Sequence, residues 1–268
     1  MDDSERLLAA GDPQGALELL QRRVRERAAD AKLRVYLFQL LAVLGQWERA
    51  LNQLAVCGEL DAGTLAMVNT YREAVKCELL REAVFAGRLT PVVLGEPQPW
   101  VAMLVEALQA DGRGDAALAA KLRADAFEAA PATAGTLDGA PFEWIADADS
   151  RLGPVLEVVV DGRYAWVPFG ALAAVRIDAP VDLRDLVWSP AQLTFANGGQ
   201  TVALVPSRYA GSGAAADGAL QLARKTEWLA VGPQQYRGLG QRMLVTDAAE
   251  RGLLEVREIV LQPAPAQL

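Results

Sequence analysis

The 268-residue sequence contains no histidine. Its absence excludes Ser-His-Asp triads, Cys-His dyads and histidine general bases, and it removes the imidazole ligand of most zinc sites. Cys57 and Cys77 are the only cysteines, too few for a structural zinc tetrahedron. Both lie in stretches with helical patterning, which predicts reduced, partly buried thiols. We therefore expect neither a metal nor a cofactor, and an enzyme with this sequence would depend on carboxylates, lysine, tyrosine or serine.

The sequence also lacks a long apolar run and a basic run. Its longest apolar stretches, such as 155–160, have the length of a strand and fall short of a membrane span. The first residues, 1–6, are acidic, whereas a secretory signal is basic and then apolar. The chain carries 34 acidic and 26 basic residues, and this net charge of −8 repels nucleic-acid phosphates. These features predict a cytoplasmic protein that neither binds nucleic acid nor inserts into a membrane.

A short motif recurs after 34 residues in the first part of the chain. It consists of a glycine followed by an Ala-Leu pair: Gly11 with Ala16-Leu17, and Gly45 with Ala50-Leu51. This is the period of tetratricopeptide repeats, in which each helix–turn–helix unit buries its apolar face against its neighbours. Gly112 with Ala117-Leu118 gives a third, displaced copy. Arrays of this kind usually hold a segment of another protein, so the motif indicates binding rather than catalysis.

Apolar residues at three- and four-residue spacing predict helices through the first half. The predicted helices cover 4–10, 13–27, 31–44, 46–59 and 62–86, followed by a helical hairpin of 100–110 and 115–130. Asp12 is the predicted N-cap of the second helix, with Pro13 in its first turn, and Gly87 is the predicted C-cap of the fifth. The proline-rich segment 90–99 is predicted to be non-helical.

The second half has strand patterning. Asp161-Gly162 predicts a type I′ hairpin of 154–160 with 163–169, and Asn197-Gly198-Gly199 predicts another of 193–196 with 200–206. Further strands are expected at 173–178, 227–231, 241–245 and 254–261. The Gly-, Ala- and Ser-rich segment 211–218 is expected to be a mobile loop, and 262–268 to fray. The predicted class is α+β, with a tetratricopeptide-like helical domain (1–132), a junction (133–153) and a β-rich domain (154–268).

Two sets of residues are candidate functional sites. In the helical half, aromatic and amide groups on adjacent helices could line a groove for a partner helix or peptide: Tyr36, Gln39, Trp47, Asn52, Tyr71 and Arg72. The alternative for them is ordinary packing between helices. At the junction lies an aromatic and acidic set: Phe142, Glu143, Trp144, Asp147, Asp149 and Arg151.

The junction carboxylates have two interpretations. Glu143, Asp147 and Asp149 could act as acid and base in hydrolysis or bind a divalent cation. Alternatively, they form structural ion pairs with Arg151 that join the junction to the β-rich domain. The aromatic residues of the second half, such as Tyr164 and Trp166, are expected in the core, with an exposed patch for a partner as the alternative. A purely structural role in an oligomer is a third possible function.

Longer segments along nearly the whole chain carry more specific information. They are LFQLLAVLGQWERALNQL (37–54), YREA (71–74), FAGRxxP (85–91), GEP (95–97), AFEAAP (126–131), DGxPFEWIADADSRLGP (138–154) and DLRDLVW (182–188). In this order they resemble the ImpE family, also called TagJ or SciE.

The resemblance implies a cytoplasmic accessory protein of bacterial type VI secretion, without known enzymatic activity. Members of the family are described as binding the N-terminal helix of the small subunit of the contractile sheath. This binding is linked to turnover of the sheath by the ClpV unfoldase, which would make ClpV an indirect partner. The resemblance supplies no residue-level map of the partner site, so the candidate residues above rest on their own chemistry.

Overall fold

Seven helices form the N-terminal half of the protein in a computed structural model that describes residues 3–262. They are α1 (Asp3–Ala9), α2 (Pro13–Glu26), α3 (Ala31–Val43), α4 (Trp47–Leu60), α5 (Leu65–Phe85), α6 (Pro99–Gly112) and α7 (Ala116–Ala129). Asp12, Asp30 and Asp115 cap α2, α3 and α7, each accepting a hydrogen bond from the backbone N–H three residues later. The predicted helices are confirmed.

Within residues 3–262, no helix combines the length and apolarity needed to cross a membrane.

The repeated glycines mark the turns between helices. Gly11 and Gly45 have φ angles of +83° and +64°, the left-handed region that lets a helix end and the chain reverse. In the third hairpin this role belongs to Gly114, with φ of +81°, and not to Gly112 as the motif predicts. Gly112 is the last residue of α6, and its Cα faces the backbone of Ala86 so closely that a Cβ would lie 2.5 Å from the Ala86 carbonyl oxygen.

Strands dominate the remainder of residues 3–262. A nine-stranded sheet has the order β1-β6-β5-β9-β8-β7-β14-β2-β3, and a three-stranded sheet has the order β13-β12-β4, while β10 and β11 form a separate hairpin. The strands are β1 (Val92–Val93), β2 (Ala134–Leu137), β3 (Ala140–Phe142), β4 (Ile145–Asp147), β5 (Val155–Val160), β6 (Arg163–Pro168), β7 (Leu172–Ile177), β8 (Trp188–Phe195), β9 (Gln200–Pro206), β10 (Thr226–Gly232), β11 (Gln235–Gly240), β12 (Met243–Thr246), β13 (Glu250–Gly252) and β14 (Glu258–Gln262). A short helix, α8 (Gly218–Gln221), precedes β10. The α+β class is confirmed.

The large sheet buries side chains on both faces. Tyr164 and Trp166 of β6 pack with α5 and α6, whereas Ala165 and Val167 belong to the core on the opposite face. The sequence predicts this alternation and the core position of both aromatic residues, and the structure confirms it. Asp161 and Gly162 between β5 and β6 have φ angles of +49° and +70°, as the predicted turn requires. The sheet thus presents one face to the helical half.

The predicted junction 133–153 contains strands. β2 pairs with β14 and β3 within the large sheet, and β4 pairs with β12. In the opposite direction, β1 from the helical half pairs with β6. The division into two domains stays a prediction. Strands on either side of both predicted boundaries, 132/133 and 153/154, pair with one another. Of the strand predicted over 254–261, only the part in β14 is observed. The predicted fraying covers 262–268; Gln262 belongs to β14, and the other residues of that range lie outside the described ones.

The expectation of a mobile loop at 211–218 is wrong. Residues Ser212–Ala214 form a turn of 3-10 helix in which Ser212 and Gly213 are buried. The Ser212 hydroxyl donates a hydrogen bond to the carbonyl of Tyr209 (2.6 Å) and accepts one from the N–H of Gly240 (2.8 Å). Gly213 lies directly against the repeat turn at Gly45. The small residues of the segment 211–218 therefore allow close contact between backbones and do not make the segment mobile.

We expect Gly213→Ala to destabilise the protein, because the added Cβ would lie 2.8 Å from the backbone N and Cα of Gly45. Overpacking of this kind costs about 1–3 kcal/mol, which urea unfolding measures directly. Gly170→Ala is the matched control, since its Cβ would meet only the Thr133 hydroxyl at 3.4 Å. Equal stability of the two variants would show that the segment does not pack on the repeat turn as described.

Candidate functional site

The groove predicted in the helical half is filled by the protein's own chain. Trp188, at the start of β8, is fully buried, with its ring centroid 6.0 Å from that of Trp47 and 5.7 Å from that of Tyr71. Its indole N–H donates to the carboxylate of Glu78 on α5 (3.0 Å). The preceding 3-10 turn, Leu183–Leu186, packs against the same helical core. An incoming helix would have to displace this segment to reach Trp47 or Tyr71.

The six residues predicted to line that groove are not equally accessible. Gln39, Trp47 and Tyr71 are buried, Tyr36 and Arg72 are half-buried, and Asn52 is exposed. Trp47 donates its indole N–H to Glu82 (2.7 Å), and the guanidinium of Arg184 lies over the ring of Tyr71. The partner-binding role of these residues stays a prediction. The observed contacts of Trp47 and Tyr71 are those of packing, within the helical half and against Trp188 and Arg184.

The six predicted junction residues do not lie together in the structure. Phe142 is buried, whereas Glu143 and Trp144 are exposed, and the backbone N–H groups of the latter two point to the carboxylate of Asp247. Asp147 forms a buried ion pair with Arg242, through two hydrogen bonds of 2.8 and 2.7 Å. Glu143 is thus not part of the buried acidic set.

Asp149 is committed to local structure. It binds the guanidinium of Arg151 at 2.6 and 2.9 Å, and it also accepts the backbone N–H of Arg151 and of Gly238 on β11. These bonds fasten the β10–β11 hairpin to the loop after β4. Asp149 pairs with Arg151, as in the structural interpretation, whereas Asp147 pairs with Arg242 instead. Among residues 3–262, no group of three or more Cys, Asp and Glu side chains is placed to hold a metal ion.

Glu157 connects these pairs to the helical half. Its carboxylate receives two hydrogen bonds from Arg81 of α5 (2.7 and 2.9 Å) and one from the Tyr164 hydroxyl (2.5 Å), while Arg242 lies 3.5 Å away. Arg81 also donates to the backbone carbonyl of Arg208 (2.8 Å). One fully buried carboxylate on β5 therefore holds α5 against the sheet.

Arg208 extends the connection to the end of α3. Its guanidinium donates to the carbonyl oxygens of Val43 (2.6 Å) and Ala42 (3.2 Å) at the C-terminal end of α3, and also to that of Gln221. Together these residues form the buried charge cluster, in which acidic and basic groups are equal in number: Glu78, Asp147, Asp149 and Glu157 with Arg81, Arg151, Arg208 and Arg242. The cluster spans α5, β5, the end of β4 and the loop after it, the segment between β9 and α8, and the connection between β11 and β12.

The cluster shifts the pKa values of its members. Burial raises the pKa of Asp147 to about 6, because desolvation outweighs the charge of Arg242. Burial also raises the pKa of Glu157, but the charges of Arg81 and Arg242 outweigh it and lower that pKa to about 2. Desolvation lowers the pKa of Arg208 to about 10. Glu157 is thus the carboxylate that the cluster holds most firmly in its ionised form.

We expect the stabilising effect of Glu157 to disappear in acid. Because its pKa lies below the ordinary 4.5, its ionisation stabilises the folded state above about pH 4.5, and this contribution is lost as the pH falls towards 2. The difference in unfolding free energy between wild type and Glu157→Gln should therefore shrink by about 3 kcal/mol from pH 5 to pH 2. Urea titrations across this range measure it. Parallel curves for the two proteins would contradict the assigned ion pairs.

Half of the cluster could be found from the sequence. Asp147, Asp149 and Arg151 belong to the candidate junction set, and Glu157, the one charge within the apolar run 155–160, lies close to them along the chain. Arg81, Arg208 and Arg242 lie far from them along the chain, and nothing in their local sequence names a partner. A lone charge inside an apolar strand was the available signal, since a buried charge needs a counter-charge.

An open groove lies elsewhere on the helical half, between α6 and the segment 90–98. It has a volume of about 490 Å³, within the range of binding sites. Its apolar lining comes from both sides: Pro91, Val93, Pro97, Val101, Ala102 and Val105. Gln98, Glu106, Gln109 and Arg113 supply its polar groups. We call this the α6 groove, and the sequence analysis did not identify it.

The sequence matches a family model and a similar bacterial protein. The sequence model of the ImpE protein family matches residues 139–260. A Pseudomonas aeruginosa PAO1 protein named type VI secretion system accessory component TagJ is 56% identical over 263 residues, which cover 98% of this chain and 92% of that protein. The chain belongs to the ImpE family.

The fold of this chain is also found in a crystal structure. An X-ray structure of a Vibrio parahaemolyticus protein superposes with a TM-score of 0.91 over 99% of both chains, at 24% sequence identity. At that identity the likeness concerns the fold alone. The superposition includes both the helical half and the sheets. The two proteins therefore share the whole combination of helices and strands.

Proposed function

We propose that this ImpE-family chain is a cytoplasmic accessory protein of a type VI secretion system that acts by binding another protein. Its partner is the N-terminal helix of the small subunit of the contractile sheath. The observation that carries the proposal is the 56% identity, over nearly the full length of both chains, to a protein named as an accessory component of this system. Helical-repeat folds commonly hold such a segment, which supports the proposal.

The arrangement of the acidic residues favours binding over catalysis. Asp147 and Asp149, the buried members of the hydrolase hypothesis, are each engaged by an arginine, and Glu143 lies exposed and apart from them. A general acid or base needs access to a reacting group, and these two carboxylates are enclosed by protein. We propose that they stabilise the protein and that the chain carries out no reaction itself.

We propose that binding influences the assembly or turnover of the sheath. A protein that holds the N-terminal helix of a sheath subunit affects whether that helix is available for assembly or for ClpV-dependent turnover. ClpV is then an indirect partner, reached through the sheath subunit. This link rests on the family resemblance, and the direct contact is the part that structure and chemistry can test first.

Binding to the purified small sheath subunit tests the proposal. We expect the full chain to bind the intact subunit and to lose binding when the N-terminal helix of the subunit is deleted. A labelled peptide of that helix should bind by itself, measured by fluorescence anisotropy. Undiminished binding to the helix-deleted subunit, or no binding to the intact one, would overturn the proposal.

A further inference from the structure

The β10–β11 hairpin has one edge that the chain covers and one that it leaves open. On β11, the backbone N–H groups of Tyr236 and Gly238 donate to side chains of the loop after β4, and that of Gly240 donates to a hydroxyl between β9 and α8. At the turn, Gln235 accepts a hydrogen bond from the buried Arg123 of α7 (2.7 Å). The hairpin is thus fastened in place. Within residues 3–262, β10 pairs along one edge only, with β11.

The register of the hairpin shows which backbone groups face the open edge. The three N–H groups of β11 described above point away from β10, and the residues opposite them on β10 are Thr226, Trp228 and Ala230. In an antiparallel ladder, two opposite residues direct their N–H and C=O groups either towards each other or both outward. These three residues of β10 therefore present their N–H and C=O groups to the open edge.

The open edge carries little of the protection that edge strands of soluble proteins usually have. Residues 227–230 are all exposed, and Glu227 is the one charged residue of the seven in β10. Trp228 and Leu229 are 40% and 38% exposed on opposite faces of the hairpin, and Tyr236, on the face of Trp228, is 47% exposed. The bulge of the strand lies at its turn end. A long, exposed and apolar edge strand is a template for pairing with another strand.

A second copy of β10 is complementary to this edge. With two β10 strands antiparallel about a two-fold axis at Trp228, Thr226 of each copy lies opposite Ala230 of the other, and Trp228 lies opposite its own copy. Every outward N–H and C=O group then has a partner, in about six hydrogen bonds. In this register Glu227 lies opposite Leu229 of the other copy, so no like charges oppose each other.

We infer that β10 pairs with β10 of a second copy, so that two hairpins form one four-stranded sheet with the order β11-β10-β10-β11. A two-stranded sheet is only marginally stable by itself, whereas more strands with an apolar face support one another. The pairing also brings the two Trp228 side chains together on one face, as a cross-strand aromatic pair. The inference is independent of the proposed sheath binding.

Sedimentation velocity of the full chain tests the pairing. The measurement is made at 0.15 M salt, where a screening length of about 8 Å limits repulsion between two chains of charge −8. We expect wild type to form a dimer whose fraction rises with concentration up to about 100 μM. Ala230→Pro removes an outward N–H and leaves the bonds to β11 intact, so it should weaken the dimer by about tenfold or more. Ala230→Ser retains the N–H and should stay within about twofold of wild type.

Two results of this measurement would overturn the inference. One is a wild-type chain that remains monomeric at about 100 μM. The other is a folded Ala230→Pro protein that dimerises as strongly as wild type. Circular dichroism and urea unfolding establish whether the variant is folded.

Disulfide cross-linking tests the register, even where Ala230→Pro does not fold. Glu227 and Leu229 of the two copies lie directly opposite, with Cα atoms about 4.5 Å apart, whereas like residues are about 8 Å apart and out of disulfide reach. A mixture of Glu227→Cys and Leu229→Cys proteins should therefore cross-link under oxidation, and either protein alone should not. The native Cys57 and Cys77 are buried and serve as internal controls in wild type.

The cross-linking result has its own contradicting outcomes. Equal cross-linking of each variant alone, or none in the mixture, would overturn the two-fold pairing at Trp228. A dimer that persists without the mixed cross-link would place the interface between copies elsewhere on the protein.

Discussion

Glu157→Gln is expected to lower the free energy of unfolding by about 3–5 kcal/mol, because it leaves the buried charge cluster with one positive charge that no carboxylate balances. Arg81 donates two hydrogen bonds to Glu157, and both side chains are almost fully enclosed. A neutral amide keeps the shape but cannot replace the carboxylate as an acceptor for both groups. Equilibrium urea unfolding at neutral pH measures the loss, which is a large fraction of the stability of an ordinary protein.

The matched control for this prediction is Glu258→Gln. Glu258 also pairs with an arginine, Arg176 at 2.9 Å, but both side chains are largely exposed. An exposed pair contributes about 0–1 kcal/mol, so its loss should be small. If both substitutions had equal effects, the buried charge cluster would not hold α5 on the sheet in the way that its geometry indicates.

Trp188→Ala is expected to cost about 3–5 kcal/mol, because it opens a cavity between the helical half and the sheet. The ring of Trp188 packs against Trp47 and Tyr71, and its N–H is a hydrogen-bond donor to the buried Glu78. The substitution also removes a hydrogen-bond donor from the buried carboxylate of Glu78, which lowers the free energy of unfolding further. Thermal unfolding followed by circular dichroism measures the change.

Two further variants separate the causes. Trp188→Phe retains most of the packing and loses only the N–H donor, so its stability should lie between those of wild type and Trp188→Ala. Trp144→Ala removes an indole that is 39% exposed and should cost much less. A separate unfolding transition of the helical half in wild type would contradict the cooperative packing that places Trp188 between the halves.

Local signals in the sequence predict the elements of this fold well. Helix starts follow from Asp12, Asp30 and Asp115, whose carboxylates cap the next N–H groups, and the first hairpin follows from Asp161-Gly162. These signals are short-range, so a single segment contains them. Strands β1 to β4, with two to four residues each, are too short to show a period and were missed.

The arrangement of the elements depends on contacts that no local pattern contains. Trp188 meets Glu78 across 110 residues, and Arg81 meets Glu157 across 76. Trp47 and Tyr71, two of the residues predicted to line a partner groove, instead pack against Trp188 of the same chain, and the partner-binding role of the set stays a prediction. The α6 groove was missed because a two-residue strand and a proline-rich segment form its second wall.

Hydrogen–deuterium exchange with and without the sheath peptide tests the central claim most directly, since it maps contact on the unmodified protein. The proposed function predicts that exchange slows in a contiguous part of the helical half when the peptide binds. No change anywhere in the chain at saturating peptide would contradict the proposed binding function.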